Sequence, residues 1–423
     1  MRTIKTISAS EVRPGSPAAV DEATLSGARA ILAELATGGE AALVALGKRF
    51  GDLTEDSAVL FGRVDLEAAW NRLSTNDRAL LERTKARIFA FATAQRDALS
   101  AVEIPIPGGT AGHVLAPMER AGCYAPGGRF PLPSSVLMTV VTAKAAGVAE
   151  VWVASPRPTD MTLAAAFIAD ANGLLAVGGA QAIGALATGV LVPPCDVIVG
   201  PGNRWVTAAK QLVSGAVAID MLAGPSELVV LADETAEAEL IAADLLAQAE
   251  HDPDAIPVLV TTSKALADAV ETELGRQLQT LPTAEIARAA LSNGFIALAE
   301  DMDEAIATVN ALAPEHLEVM TADDQAVVPR LLHYGGLFIG ANAAEVIGDY
   351  GAGPNHVLPT GRTARYSGGL SVFDFIRVRT WMRIDTPRDA EGLYRDAAAL
   401  GRHEGLEAHA RAADLRARRA GDT

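Results

Sequence analysis

Seven histidines are spread over 423 residues, and five of them stand in acidic or glycine-rich surroundings. They are His251 in QAEHD, His316 in APEHLEV, His356 in GDYGAGPNHV, and His403 and His409 in RHEGLEAH. A zinc ion takes about four N, O or S ligands, and a thiol-poor chain must draw them from imidazole, carboxylate or, less often, amide oxygen. In DLLAQAEHDPD, Gln248 and His251 are three residues apart at the end of a helical pattern, so they share roughly one face. Taken singly, His251 reads first as a polar helix terminus, because the helix dipole favours a histidine there. His409 lies on a helix rich in Arg, Glu and Ala that can carry a histidine without any function. Spacing alone does not assemble a ligand set.

Glu315 and His316 follow a proline at the entrance of the strand-like LEVM. A carboxylate and an imidazole side by side can divide proton-transfer tasks, since both are available as bases near neutrality once tuned. A surface loop is the plainer reading of the same two residues. Asp349 in IGDYGAGPNH has glycines at 348, 351 and 353 around it. These imply a tightly specified backbone, and a carboxylate held in such a loop is placed for a metal or ligand. Two Gly-rich stretches, GGAQAIG and GPGNRW, could turn a chain around a dinucleotide. Neither is a full G-x-G-x-x-G after a proper strand with an acidic residue about 20 positions on. Ordinary strand-to-helix turns are the plainer reading of such stretches.

The elements that must hold these residues alternate. From Leu25 to about Ala98 the pattern is helical, with apolar positions three and four apart in ARAILAELA, EAALVALGKRF and DRALLERTKARIFAFATAQ. A Pro/Gly-rich segment of short strands and turns follows. Between Cys123 and Ser226, apolar strands such as EVWVAS, GLLAVGG and CDVIVGPGN alternate with helices. The alternation resumes with ELVVLAD, IPVLVTTS, GFIALAE and HLEVMT. Continuous apolar strands between helices specify a mostly parallel sheet covered on both faces. The fold class is therefore α/β, with two α/β units. After Tyr366 the tail reads as a helix pair, TPRDAEGLYRDAAALG and HEGLEAHARAADLRARR, too small for its own core and expected to pack on another domain or subunit.

Composition excludes several classes. A chain this long with 50% hydrophobic residues buries a large core and is expected to form more than one domain. A formal net charge of -17, with basic residues scattered except for the final RARR, argues against nucleic acid or an anionic membrane as partner. MRTIKTISASEVRPG lacks the apolar core of a signal peptide, and a membrane-spanning run is not expected downstream. Cys123 and Cys195 form neither a redox nor a zinc spacing, which suits a reducing cytoplasm.

Ordered blocks along almost the whole chain then spell one pattern: YAPGGR, GGAQAIGALATG, GPGN, DMLAGPSE, LLAQAEHD, APEHLE, GDYGAGPNHVLPT and EGLEAH. Together, from about residue 25 to 415, they resemble the histidinol dehydrogenase family of zinc-containing, NAD-dependent enzymes that complete histidine biosynthesis. The resemblance implies two incomplete Rossmann-like α/β domains with small N-terminal and helical C-terminal segments, in a cytoplasmic homodimer whose tail reaches the partner subunit. The expected divisions are an N-terminal segment 1–24, a discontinuous α/β domain 25–122 with 227–366, a second Rossmann-like domain 123–226, and the tail 367–423. It implies one zinc per subunit on Gln248, His251, Asp349 and His409, the last donated across the dimer. Ser226, His316, His356 and Glu404 would join those four around the substrate, L-histidinol. Tyr124, Gln181 and Asn203 would contact NAD, and Glu315 and His316 match the catalytic pair. The implied reaction takes L-histidinol through L-histidinal to L-histidine while reducing two NAD.

Overall fold

The computed structural model describes residues 3–13, 20–127 and 131–421. Gly128 and Arg129 of the YAPGGR block lie outside them. The chain divides into two compact units, residues 1–94 with 118–375, and residues 95–117 with 376–423.

The larger unit holds two six-stranded sheets. In one, the order across the sheet is Lys5–Ser8, Phe295–Leu298, Ile256–Thr261, Glu227–Ala232, His316–Met320 and Gly336–Ile339, every pair parallel. Counting from Glu227–Ala232 as first strand, the second and third lie on one side and the fourth and fifth on the other. That is the doubly wound order without its sixth strand, and the N-terminal strand takes the far edge. Alternate residues of Glu227–Ala232 point to opposite faces. Leu228 and Val230 meet Ile241, Leu245, Val270 and Leu274 on one side. Val229 and Leu231 meet Ile306, Val309 and Leu317 on the other. A strand buried on both faces must be apolar, which is why LVVLA, residues 228–232, reads as one run.

The other sheet runs Leu60–Gly62, Gly173–Leu175, Glu150–Ala154, Arg120–Tyr124, Val197–Val199 and Ala218–Ile219. All pairs are parallel except the first, and the same doubly wound order starts at Arg120–Tyr124. Its strand order reverses between Arg120–Tyr124 and Val197–Val199, so the crevice beyond their carboxyl ends is the switch point where this class of sheet takes its ligand.

The early helical stretch differs from expectation in where it packs. Helix Glu22–Arg49, grouped by its sequence position with residues 227–366, buries Ala28, Ile31, Leu35, Leu43 and Leu46 against Leu175, Ile183 and Leu186 of the other sheet's layer. Strand Leu60–Gly62 joins that sheet directly. The helix is also long and apolar enough to cross a membrane by length and composition. Its core-facing stripe and the non-helical backbone at Gly39, with φ of 53°, are instead those of a kinked core helix.

In the smaller unit, strand Ile376–Ile384 pairs antiparallel with Gly109–Pro117, which pairs in turn with Val102–Ile106. The tail thus opens with a nine-residue strand before its two helices, Glu391–His403 and Glu407–Gly421. Those helices pack on each other through Ala398, Ala410 and Ala413.

Candidate active site

Helix Ala238–Ala249 follows the first strand of its sheet, so its C-terminal end returns to the amino edge of the strands. There it presents Gln248, fully buried, and His251, two residues past its end. Strand His316–Met320 begins at the same edge, because Leu228 and His316 are partners in the ladder. Helix Glu345–Asp349 comes after the last strand and packs on Ala238–Ala249. It brings Asp349 Oδ2 to 3.6 Å from His251 Nε2 and Glu345 Oε1 to 3.9 Å from the same nitrogen. One donor atom from each of the three lies within 4.8 Å of the others.

The approach to Glu315 and His316 is specified residue by residue. Helix Met302–Leu312 ends on Ala313, a left-handed alanine with φ of 48°, and Pro314 then straightens the chain into the strand. Gly335 N donates to Pro314 O and Gly336 N to Glu315 O, at 2.9 and 2.8 Å. A Cβ on Gly335 would stand 2.6 Å from the Glu315 carbonyl, so only glycine allows that approach. Both side chains are buried. Glu315 Oε2 accepts from Glu227 N at 2.9 Å, and His316 Nδ1 donates to Glu227 O at 3.0 Å. With its proton held at Nδ1, His316 turns an unprotonated Nε2 inward, 3.8 Å from Asp349 Oδ1 and without a hydrogen-bond partner among the described residues. Burial, opposed by Asp349, pulls the imidazole down to about 4, so it is neutral at physiological pH, and the Asp349 carboxylate is the neighbour that favours its protonated form. Burial pushes Glu315 well above the usual carboxylate range, a stronger base than an exposed glutamate.

His356 spans the two sheets' layers within this unit. Its Nδ1 donates to Asp349 O at 2.9 Å, and Ser135 Oγ of helix Pro133–Ala146 lies 3.1 Å from its Nε2. Arg87 Nε donates to Gly351 O at 2.6 Å and Asn355 Nδ2 to Met138 O at 2.9 Å, so the loop after Asp349 is tied down at both ends. Ser226 sits half-buried one residue before strand Glu227–Ala232, at the same edge.

Two features of the site suit a cation. Gln248 is 0% exposed, yet neither its Oε1 nor its Nε2 has a partner among the described residues. A buried amide left so costs about 1–3 kcal/mol unless something else takes the lone pair. Glu345 is also buried with one oxygen unpartnered, and burial and then repulsion from Asp349 push it well above the carboxylate range. The donors available, imidazole nitrogen with carboxylate and amide oxygen, are ones zinc accepts.

The second cluster of expected residues lies at the switch point of the other sheet. Tyr124 ends strand Arg120–Tyr124, and its Oη accepts from Gly179 N at 3.3 Å. Gln181 Nε2 donates to Asp52 Oδ2 at 3.1 Å, and that oxygen also accepts from Gly178 N at 2.8 Å. The amide groups of the GGAQ turn are thus already taken by a carboxylate and a phenol, and the turn follows the third strand rather than the first. This is the physical reason that GGAQAIG is no standard phosphate loop. Asn203 caps helix Arg204–Val213, its Oδ1 accepting from Trp205 N and Val206 N, and is exposed at the crevice.

A family model described as histidinol dehydrogenase matches residues 16–417. A histidinol dehydrogenase from Thermus thermophilus is 49% identical over 350 residues, 82% of this chain and 84% of that one. One from Rhodopseudomonas palustris is 44% identical over 395 residues, 92% and 91% of the two chains.

The chain belongs to the histidinol dehydrogenase family.

The crystal structure of histidinol dehydrogenase from Elizabethkingia anophelis has the same fold, with a TM-score of 0.91 at 29% identity over 100% of this chain and 99% of that one. Of the residues that the family resemblance singled out, Ser226, Gln248, His251, Glu315, His316, Asp349 and His356 stand on elements meeting at one sheet edge. Tyr124, Gln181 and Asn203 stand at the other sheet's switch point. Glu404 and His409 belong to the smaller unit, both exposed, the first at the end of helix Glu391–His403 and the second in the first turn of Glu407–Gly421. Sequence reasoning passed over Glu345 and Glu227. A lone Glu in AAEVIGDY carries no signal, whereas Glu227 follows Ser226 directly in GPSE and opens an otherwise apolar strand.

Proposed function

We propose that the edge cluster around Glu315 and His316 is where this member of the histidinol dehydrogenase family oxidises L-histidinol through L-histidinal to L-histidine, reducing two NAD. The observation that carries the reading is the His316 ring. Its Nδ1 is committed to a backbone carbonyl, and its Nε2 is bare, buried and beside Asp349. Gln248, His251 and Asp349 would hold the zinc ion, as the orphaned amide and the imidazole–carboxylate approach support. When bound there, zinc supplies orientation and electrostatic support to the substrate rather than electrons.

In the first oxidation, His316 Nε2 takes the alcohol proton while the hydride leaves for the nicotinamide. In the second, Glu315 takes a proton from water as its oxygen attacks the aldehyde, His316 returns its proton to the aldehyde oxygen, and the neutral His316 then takes a proton of the resulting hydrate as the second hydride departs. Each oxidation releases one proton and one hydride, and one water is consumed. Ser226, His356 and Glu404 would recognise the substrate. Burial of both bases keeps bulk water from the aldehyde between the steps.

NAD would bind at the switch point of residues 123–226, against Tyr124, Gln181 and the exposed Asn203 cap. The support is the doubly wound strand order and a helix N-terminus facing the crevice. His409 would complete the zinc ligands from the tail of a second copy in a homodimer, supported by its exposure and by the minimal core of its helix pair. The free, buried cysteines fit a cytoplasmic setting. Zinc analysis tests the assignment. His251→Ala and Asp349→Asn should lose zinc, while His316→Asn should keep it and lose turnover. Zinc retained by both ligand variants would overturn the reading.

A further inference from the structure

The turn GPGN, residues 200–203, leaves strand Val197–Val199 at the switch point and enters helix Arg204–Val213. Beneath it lies a buried ion pair. Lys210 and Asp220 have side chains 2% and 0% exposed, and Lys210 Nζ makes a short contact with Asp220 Oδ1. The two partners also hold the two peptide groups that flank Gly200 Cα, one each. Asp220 Oδ2 accepts from Gly200 N at 2.7 Å, and Lys210 Nζ donates to Gly200 O at 3.1 Å. Asp220 Oδ1 further accepts from Met221 N at 2.6 Å.

Gly200 has little freedom to answer otherwise. Its φ is 115°, and a Cβ there would stand 2.0 Å from the Tyr124 carbonyl oxygen. The glycine therefore brings the ends of the first and fourth strands into contact, and the ion pair fixes the plane of its peptide groups. A buried ion pair is a poor source of stability, since well-packed apolar residues often serve as well or better. What this pair supplies is geometry, because two charges with full hydrogen-bond demands admit one arrangement of the turn.

We infer that Lys210 and Asp220 are positioning residues for the dinucleotide, acting through Gly200 to set the GPGN turn and the Asn203 cap against NAD. Neither touches the cofactor. The inference rests on the reading that NAD binds at this switch point.

The test uses the zinc-loaded enzyme and NAD itself. Lys210→Met with Asp220→Asn removes both charges together and keeps the volume, and Lys210→Met alone, which leaves Asp220 the Gly200 and Met221 N–H groups, is the second variant. Calorimetric Kd and steady-state KM for NAD should rise about tenfold in the double variant, corresponding to about 1.4 kcal/mol. They should rise less in Lys210→Met, and KM for L-histidinol and zinc content should hold in both. If the double variant does not fold, the same split in Lys210→Met decides. Asn203→Ala is run alongside. If it weakens NAD binding while the folded pair variants leave NAD affinity unchanged, or raise both KM values together, the positioning role is wrong. If Asn203→Ala leaves NAD binding unchanged, the turn is not the NAD site and the inference falls with that reading.

Discussion

Replacing Gln248 by leucine should move stability and metal affinity in opposite directions. The side chain is wholly buried, with both amide atoms unpartnered among the described residues, at the end of a helix whose neighbours Leu245, Leu246 and Ala249 are core. In the metal-free protein the amide pays desolvation with no bond in return, about 1–3 kcal/mol. Leucine is of similar volume and carries no such penalty, so the metal-free variant should be more stable by about that amount. Loss of a ligand should weaken zinc binding by at least about 100-fold, the upper figure for disturbing an outer-shell partner. The assays are urea unfolding of chelator-stripped protein and competition for zinc with a chelating dye. A Gln248→Leu protein that is less stable without metal, or that binds zinc as the parent does, would refute the claim that this amide is kept for a cation at a cost in stability.

Other outcomes follow from the same geometry. Glu315→Gln should slow oxidation of supplied L-histidinal far more than the first oxidation of L-histidinol, whereas His316→Asn should impair both; stopped-flow NADH traces on the two substrates separate them, and equal losses for Glu315→Gln contradict the division of labour. Chelation should abolish activity while the far-UV helical signal persists, because the two sheets' cores do not depend on metal. Burial lifts the Glu227 carboxyl up to about 7 from 4.5, so its contribution to stability is complete below pH 4.5 and is lost as pH rises through 7. That is roughly 3 kcal/mol, and Glu227→Gln should flatten the fall in urea midpoints of metal-free protein between pH 5 and 8 by a corresponding amount; an unchanged slope contradicts it. Co-refolding His409→Ala with His251→Ala should restore activity that neither homodimer has, if His409 serves the other subunit; confirmed hybrids without activity would deny the crossing.

The alternation of buried strands and helices from Arg120 to Ile339 was open to reading because a strand covered on both faces has no polar side to disguise it. Strand Ile376–Ile384 was not: IRVRTWMRI is largely exposed and charged, and its pairing with Gly109–Pro117 joins segments about 260 residues apart. The partner of helix Glu22–Arg49 was hidden for a similar reason, since an amphipathic stripe declares that it is buried but not against which sheet. At the candidate site, residue type marks Gln248, His251, Asp349 and the Glu315–His316 pair as candidates, and only the family resemblance joins them into one set. Their meeting at the amino edge of the sheet depends on strand order and register, which local pattern does not encode. Glu318 carried an available signal, a charge inside the buried run HLEVM. It proves to anchor the helix bearing Asp349, with Oε1 accepting from Glu345 N at 2.7 Å.

On the proposed reading, one buried site with a neutral imidazole and a carboxyl raised by burial performs both oxidations without releasing the aldehyde. The most direct measurement is the NADH formed per L-histidinol consumed by zinc-replete enzyme, with an aldehyde trap present in solution. The account predicts two NADH per substrate and no trapped aldehyde. One NADH per substrate, with L-histidinal recovered in the trap, would contradict it.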